Sequence, residues 1–188
     1  MTAKDRVLDV AERLFNRRGY RAVSVHDIAE ALGMKAASLY YHAPGGKEGL
    51  YLEVVERRLS LLRRATEEAL SGEESFRQRL LRASLILLER GPIGLHRMLL
   101  SDVPGLSGAH AKKMRRTIYD SLIAPIRDAA VRAMEAGELR RLEPELLAGS
   151  LLSTLDGIWY AAEVERVPVP LAAMAEQWID LLWSGISR

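Results

Sequence analysis

The chain has no cysteine, which excludes disulfides and thiolate metal sites and makes a reducing compartment harmless to it. It has almost no charge imbalance: the formal net charge of +2 is too small to indicate nucleic-acid binding by itself. It also lacks an uninterrupted apolar run near the roughly twenty residues that span a bilayer. Residues 1–18 alternate charged with apolar positions and do not read as a signal peptide, so a cytoplasmic protein is expected, with no membrane partner. Lysine is scarce, 5 against 22 arginines, a bias that a GC-rich genome and a warm habitat both produce. What is present is length: 188 residues can bury a real core as one compact domain or two closely joined ones.

The most informative stretch is 24–49, SVHDIAEALGMKAASLYYHAPGGKEG. Ser24 and Asp27 have the spacing of a capping box, in which a hydroxyl and a carboxylate answer opposite orphan N–H groups. Val25, Ile28, Ala29 and Leu32 form one apolar stripe. Gly33 suits the left-handed backbone of a tight turn, and Met34 is the apolar plug between two steeply crossed helices. The second helix, 36–42, shows small residues, hydroxyls and aromatics outward, a surface that fits a major groove. Pro44-Gly45-Gly46 ends it, and Lys47 opens the next helix, where a cation and free N–H groups together suit a phosphate. The residues expected to face DNA are Ser24, Val25, Lys35, Ala36, Ala37, Ser38, Tyr40, Tyr41, His42 and Lys47. Residues 1–50 hold eight Lys or Arg against six Asp or Glu, so the whole excess of charge lies there.

From Ser24-Val-His-Asp-Ile-Ala through Leu39-Tyr40-Tyr41-His42 to Lys47-Glu48, the sequence resembles the TetR-type (tetracycline-repressor-like) transcriptional regulators. The resemblance is specific over about the first fifty residues; beyond them only length and helical pattern agree. It implies a homodimeric repressor released from its operator by a small molecule. Two positions depart from the family's usual pattern: Ala43 stands where an aromatic plug is common, and Ala37 where a glycine is. Neither removes a phosphate donor, and Leu50 or Phe15 is expected to fill the space beside Ala43.

The fold class that follows is all-α, with about nine helices. A three-helix helix-turn-helix domain at 1–50 is expected to precede a ligand-binding and dimerisation domain at 51–188, with 47–70 as a linker helix. Helix 3–18 carries Val7, Leu8, Ala11, Leu14 and Phe15 on one face and stops at Gly19. Arg17 and Arg18 in its last turn suit the helix dipole and a phosphate equally. Helices are expected at 74–90, 93–100 and 109–136, the last kinked near Pro125, with 101–108 a loop marked by Pro and Gly.

The last two helices, 144–165 and 170–186, carry more apolar surface than a helical hairpin needs. Gly149, Ser153 and Gly157 recur every four residues and allow a close helix approach. A dimeric four-helix bundle accounts for both, with Leu151, Leu155, Trp178, Leu182 and Trp183 at the interface; a plain intramolecular core is the alternative. Ile86, Arg90, His96, Met98, Leu99, Met114, Ile118, Leu122, Leu155 and Trp159 are expected to line a pocket for a hydrophobic effector. The basic run Lys112, Lys113, Arg115, Arg116 would receive an anionic head such as that of an acyl-coenzyme A, or is a solvated helix face. His96, His110, Asp102 and Asp120 have no close metal-type spacing, and no nucleophile stands in a recognisable setting, so no cofactor, metal or catalytic residue is expected. A protein-interaction module on the same scaffold, and a helical enzyme, are the other readings.

Overall fold

The computed structural model describes residues 2–187, and among these every extended element is helical, joined by short turns. The helices are α1 (Ala3–Ala22), α2 (Val25–Ala31), α3 (Ala36–His42), α4 (Gly46–Ala69), α5 (Phe76–Glu89), α6 (Leu95–Arg97), α7 (Gly108–Ile118), α8 (Ala124–Glu135), α9 (Pro144–Glu163) and α10 (Leu171–Ile186). A wide π-type stretch, Tyr119–Ile123, joins α7 to α8 as one rod just before Pro125, so the described residues make nine helical rods. Proline at the start of α8 has no N–H to lose there, which is why the rod changes winding instead of breaking.

The chain forms two compact units. The first comprises the residues up to Leu59 together with His96–Thr117; the second comprises Ser60–Leu95 and Ile118 onward. The sequence expectation draws its line at residue 50, whereas the first compact unit runs nine residues further along α4 and takes in a segment from the middle of the chain.

In the first unit, α1 packs on α2 and α3, which pack on each other. Val7, Ala11, Phe15, Val23, Ile28, Leu39, Leu50 and Tyr51 are the buried centre. Phe15, Tyr20 and Tyr51 form one aromatic cluster, with ring centroids 4.8–6.2 Å apart. Ala43, Leu50 and Phe15 are all buried, but Phe15 spends its faces on the two tyrosines. Gly19 (φ 78°, ψ 165°) interrupts α1, as its position in the sequence predicts, and one further helical turn follows it. The expected loop at 101–108 is mostly helical instead: α6 continues through a π-type turn, Met98–Asp102, and a 3-10 turn, Val103–Gly105. Pro104 falls within the first turn of that last piece, where proline is tolerated.

In the second unit, α9 packs on α8, α10 and α5, and α10 on α5. Leu80, Leu87, Leu122, Ile126, Leu147, Leu151, Leu152, Leu155 and Ile179 form its core. The Asp156 carboxylate receives the backbone N–H groups of Ile93, Gly94 and Leu95 at 2.7–3.2 Å and so caps the start of α6. Leu151 and Leu155, expected at a subunit interface, are 0% and 1% exposed in the single chain. Their apolar periodicity is used up by their own core. Trp178, Leu182 and Trp183 are half-buried, and the exposed apolar groups on these helices are Leu146, Tyr160 and Leu181. No helix of the described residues is long and apolar enough to cross a membrane.

Candidate nucleic-acid interface

Local signals build the motif. Ser24 Oγ accepts the Asp27 N–H at 3.1 Å and Asp27 Oδ2 accepts the Ser24 N–H at 2.7 Å, while the Ser24 hydroxyl donates to the same carboxylate oxygen. These bonds, the side-chain one first, hold the Asp27 carboxyl below its ordinary value. At the other end of α2, Gly33 (φ 66°) donates to Glu30 O at 2.9 Å and Met34 to Ala29 O at 3.0 Å, the paired bonds of a Schellman turn. Two short helices are thereby joined at a fixed angle.

The second of them, α3, has one buried residue, Leu39, at 0% exposure. Around it Lys35, Ala37, Ser38, Tyr40 and Tyr41 face solvent, Tyr41 at 86% exposure; Ala36 and His42 are half-buried, the His42 ring lying edge-on to Tyr41 at 5.3 Å. Of the residues at α3 expected to face DNA, Lys35, Ala37, Ser38, Tyr40 and Tyr41 are thus exposed, whereas Ala36 and His42 are partly covered. Ser24 is exposed and Val25 half-buried at the start of α2. Because the Ser24 hydroxyl and N–H both go to Asp27, that residue presents a finished cap and not a spare donor.

Lys47 is not a loose cation. Its Nζ donates to Arg21 O at 3.3 Å and lies 4.4 Å over the Tyr20 ring, which fixes the ammonium at the start of α4. Burial lowers its pKa. Beside it, Glu48 Oε1 accepts from the Ser107 N–H (2.7 Å), the Ser107 hydroxyl (2.8 Å) and His110 Nδ1 (2.9 Å). The Ser107 bonds hold its carboxyl below the ordinary range. The Glu48 carboxylate beside Lys47 is therefore held in its charged form by Ser107 and His110.

Sequence reasoning missed the contribution of His96–Thr117 to this unit. Asp102, considered above only beside a possible metal, is 1% exposed and accepts the Tyr20 N–H (3.0 Å) and the Tyr51 hydroxyl (3.1 Å). Burial, with Asp102 next, pushes the Tyr51 hydroxyl far above its ordinary pKa, so it stays a donor. A charged residue inside the apolar run 98–106 was the available signal. His96 is exposed, and among the described residues no group of three His, Cys, Asp or Glu is placed to hold a metal ion.

The expected effector residues divide between the two units. Ile86 and Arg90 line an open cleft of about 550 Å³ in the second unit, together with Ala65, Glu68, Arg82 and Glu89. Ile118, Leu122 and Leu155 of the same unit are at most 1% exposed, and Trp159 is half-buried. In the first unit, Met114 and Met98 are buried and Leu99 is exposed. Of the basic run on α7, Lys113 pairs with Glu56 at 2.6 Å, while Lys112 and Arg115 are exposed.

Residues 7–54 match the family model of bacterial regulatory proteins, tetR family. The chain is 34% identical over 70 residues to the HTH-type transcriptional regulator LmrA of Bacillus subtilis, a match covering 37% of each chain. It is 42% identical over 53 residues to IcaR of Staphylococcus epidermidis, the HTH-type negative transcriptional regulator of the biofilm operon icaADBC, covering 28% of each. These matches span about a third of the curated relatives' length. Along its whole length the chain resembles the crystal structure of the TetR family transcriptional regulator PfmR from Thermus thermophilus, with a TM-score of 0.77, 28% identity, and coverage of 100% of this chain and 99% of that one.

Proposed function

We propose, from the premise that the chain belongs to the tetR family of bacterial regulatory proteins, that it is a dimeric, sequence-specific repressor of transcription. It acts in the cytoplasm, where its DNA is. The observation that carries this is α3: a helix anchored by one leucine, with Lys35, Ala37, Ser38, Tyr40 and Tyr41 on an open face. Small side chains there let backbone approach base edges, while hydroxyls and Lys35 supply donors. The start of α4, with Lys47 fixed in place, serves the phosphate backbone. This function has residues 1–50 as the reading domain, 47–70 as linker and 51–188 as effector and dimer domain, and needs no catalytic residue.

Dimerisation is supported by what α9 and α10 leave open. Leu146, Tyr160 and Leu181 are more than half exposed, and a Cβ built on Gly149, Gly157 or Gly185 meets nothing within 4 Å. In this reading the two α3 helices of the dimer enter successive major grooves, which lie about 34 Å apart. The effector in this reading is a small hydrophobic molecule, an acyl-coenzyme A among the candidates through Lys112 and Arg115. It works by tilting α4 and changing the half-site spacing. A ligand-bound structure with unchanged spacing and undiminished operator binding refutes that step.

The test is selection from a random duplex-DNA pool at physiological salt. One enriched inverted repeat establishes the repressor's site and provides the probe for effector screening. Absence of enrichment from ligand-free protein, obtained by unfolding and refolding, refutes DNA reading. It favours instead a protein partner for the exposed Tyr40–Tyr41 pair.

A further inference from the structure

The first compact unit contains a break in α1 that its own neighbours in sequence do not complete. At Gly19 the backbone leaves the helical region (φ 78°, ψ 165°), freeing carbonyls on one side and an N–H on the other. Arg97 answers the first side: its Nη1 donates to Phe15 O at 3.1 Å and Asn16 O at 2.6 Å. Asp102 answers the second, its Oδ1 accepting the Tyr20 N–H at 3.0 Å. The two charges face each other, Arg97 Nε standing 3.7 Å from Asp102 Oδ2, and that oxygen also takes the Tyr51 hydroxyl at 3.1 Å. The carboxylate is 1% exposed, so its position is set by these partners and not by water.

The consequence runs toward α3. Tyr20, held through its N–H, packs its ring 4.8 Å from Tyr51 and beneath the Lys47 ammonium, while Arg21 O takes the Lys47 hydrogen bond. Val23 and the Ser24 cap follow at once. The direction in which the chain leaves the break is therefore the direction in which the helix-turn-helix begins.

We propose that Asp102 and Arg97 are positioning residues of the DNA-reading surface, fixing the angle of the α1 break without touching DNA. The inference rests on the DNA-binding reading above. Base contacts demand placement within about 0.5 Å, whereas phosphate contacts tolerate more. Loosening the break therefore weakens recognition of the right sequence more than attachment to any sequence.

The experiment uses the full chain, the inverted repeat enriched by selection, and a scrambled duplex of equal length. In Asp102→Ala, affinity for the enriched duplex falls about tenfold or more while affinity for the scrambled one stays within about twofold. Asp102→Asn, which keeps an acceptor for the Tyr20 N–H, recovers most of the loss. In the DNA-free protein, exchange of the Tyr20 amide hydrogen quickens about tenfold or more in Asp102→Ala and not in Asp102→Asn. An unchanged affinity ratio, or equal loss on both duplexes, overturns the proposal. If Asp102→Ala does not fold, Tyr51→Phe carries the test, and a ratio equal to the parent's overturns it. If the parent enriches no sequence, the DNA-binding reading has failed, and unaltered Tyr20 exchange in Asp102→Ala overturns the clamp on its own.

Discussion

Helices α2 and α3 have the same length, seven residues, and lie in the same compact unit, but they are held by different means. α2 enters through a complete capping box, leaves through a Schellman turn and buries Ile28 and Ala29. α3 starts at Lys35 with no side-chain cap and buries Leu39 alone. Isolated helices of this length are unstable in water, so each needs support from outside its own hydrogen bonds. α2 takes that support from both ends and from two buried residues, whereas α3 takes it chiefly from one side chain and keeps most of its surface open. A scaffold helix and a helix proposed to read DNA differ in this way because a cap or a buried residue is a position withdrawn from contact with a partner.

The sharpest way to break this comparison is at Leu39. Leu39→Ala leaves a cavity where the side chain is fully buried, and such truncations cost about 2–5 kcal/mol. Because Leu39 is the one fully buried side chain within α3, the loss is expected to abolish DNA binding even at temperatures where the second unit remains helical. Denaturation followed by circular dichroism, alongside binding to the selected duplex, checks it; a variant with native affinity shows that α3 has other anchors.

A smaller effect separates the two lysines that flank α3. Lys35 is exposed at its start, so Lys35→Ala is expected to relax base preference at one position, by about 1–3 kcal/mol of discrimination. Lys47, fixed by Arg21 O and Tyr20, is in the proposed reading a phosphate contact. Lys47→Ala is expected to weaken all duplexes alike and to reduce the slope of log affinity against log salt by about one. Titrations at several salt concentrations on matched and mismatched duplexes distinguish the two, and exchanged behaviours reverse the assignment.

How much of this was legible in the sequence follows from how far apart the cooperating groups lie. The Ser24–Asp27 cap, the Gly33 turn and the Gly19 break are each written within a few residues, and all three are where the sequence places them. The helix-turn-helix follows from those local signals. Asp102 instead finds its partners 82 and 51 residues away, and no spacing rule reaches that far. Pro104 and Gly105 made the segment look like a loop, although tertiary anchoring of Asp102 carries helical backbone up to Gly105. On α9, periodicity marked Leu151 and Leu155 as covered without saying by what; the cover is the chain's own core.

The mildest perturbation tests α2, the other member of the pair. Ser24→Ala removes a cap and is expected to cost about 1 kcal/mol. It also removes the hydroxyl's bond to the Asp27 carboxylate, the larger of the two bonds that lower the Asp27 pKa, while the backbone N–H of residue 24 keeps the other, and this gives a second, independent signature. A carboxyl whose pKa is lower folded than unfolded contributes stability at pH above its unfolded value, ordinarily 3.8 for Asp27 and 4.5 for Glu48, and loses it as pH falls through the folded value. The parent protein should therefore lose thermal stability on acidification below about pH 5. Ser24→Ala should begin less stable at neutral pH but lose less on the way down, since Asp27 then titrates more nearly alike folded and unfolded, while the Glu48 contribution through Ser107 persists. Melting temperatures of the two proteins measured from pH 7 to pH 3.5 should accordingly converge. Parallel curves would mean that Asp27 is held by the backbone N–H of residue 24 or by another group, and not by the Ser24 hydroxyl.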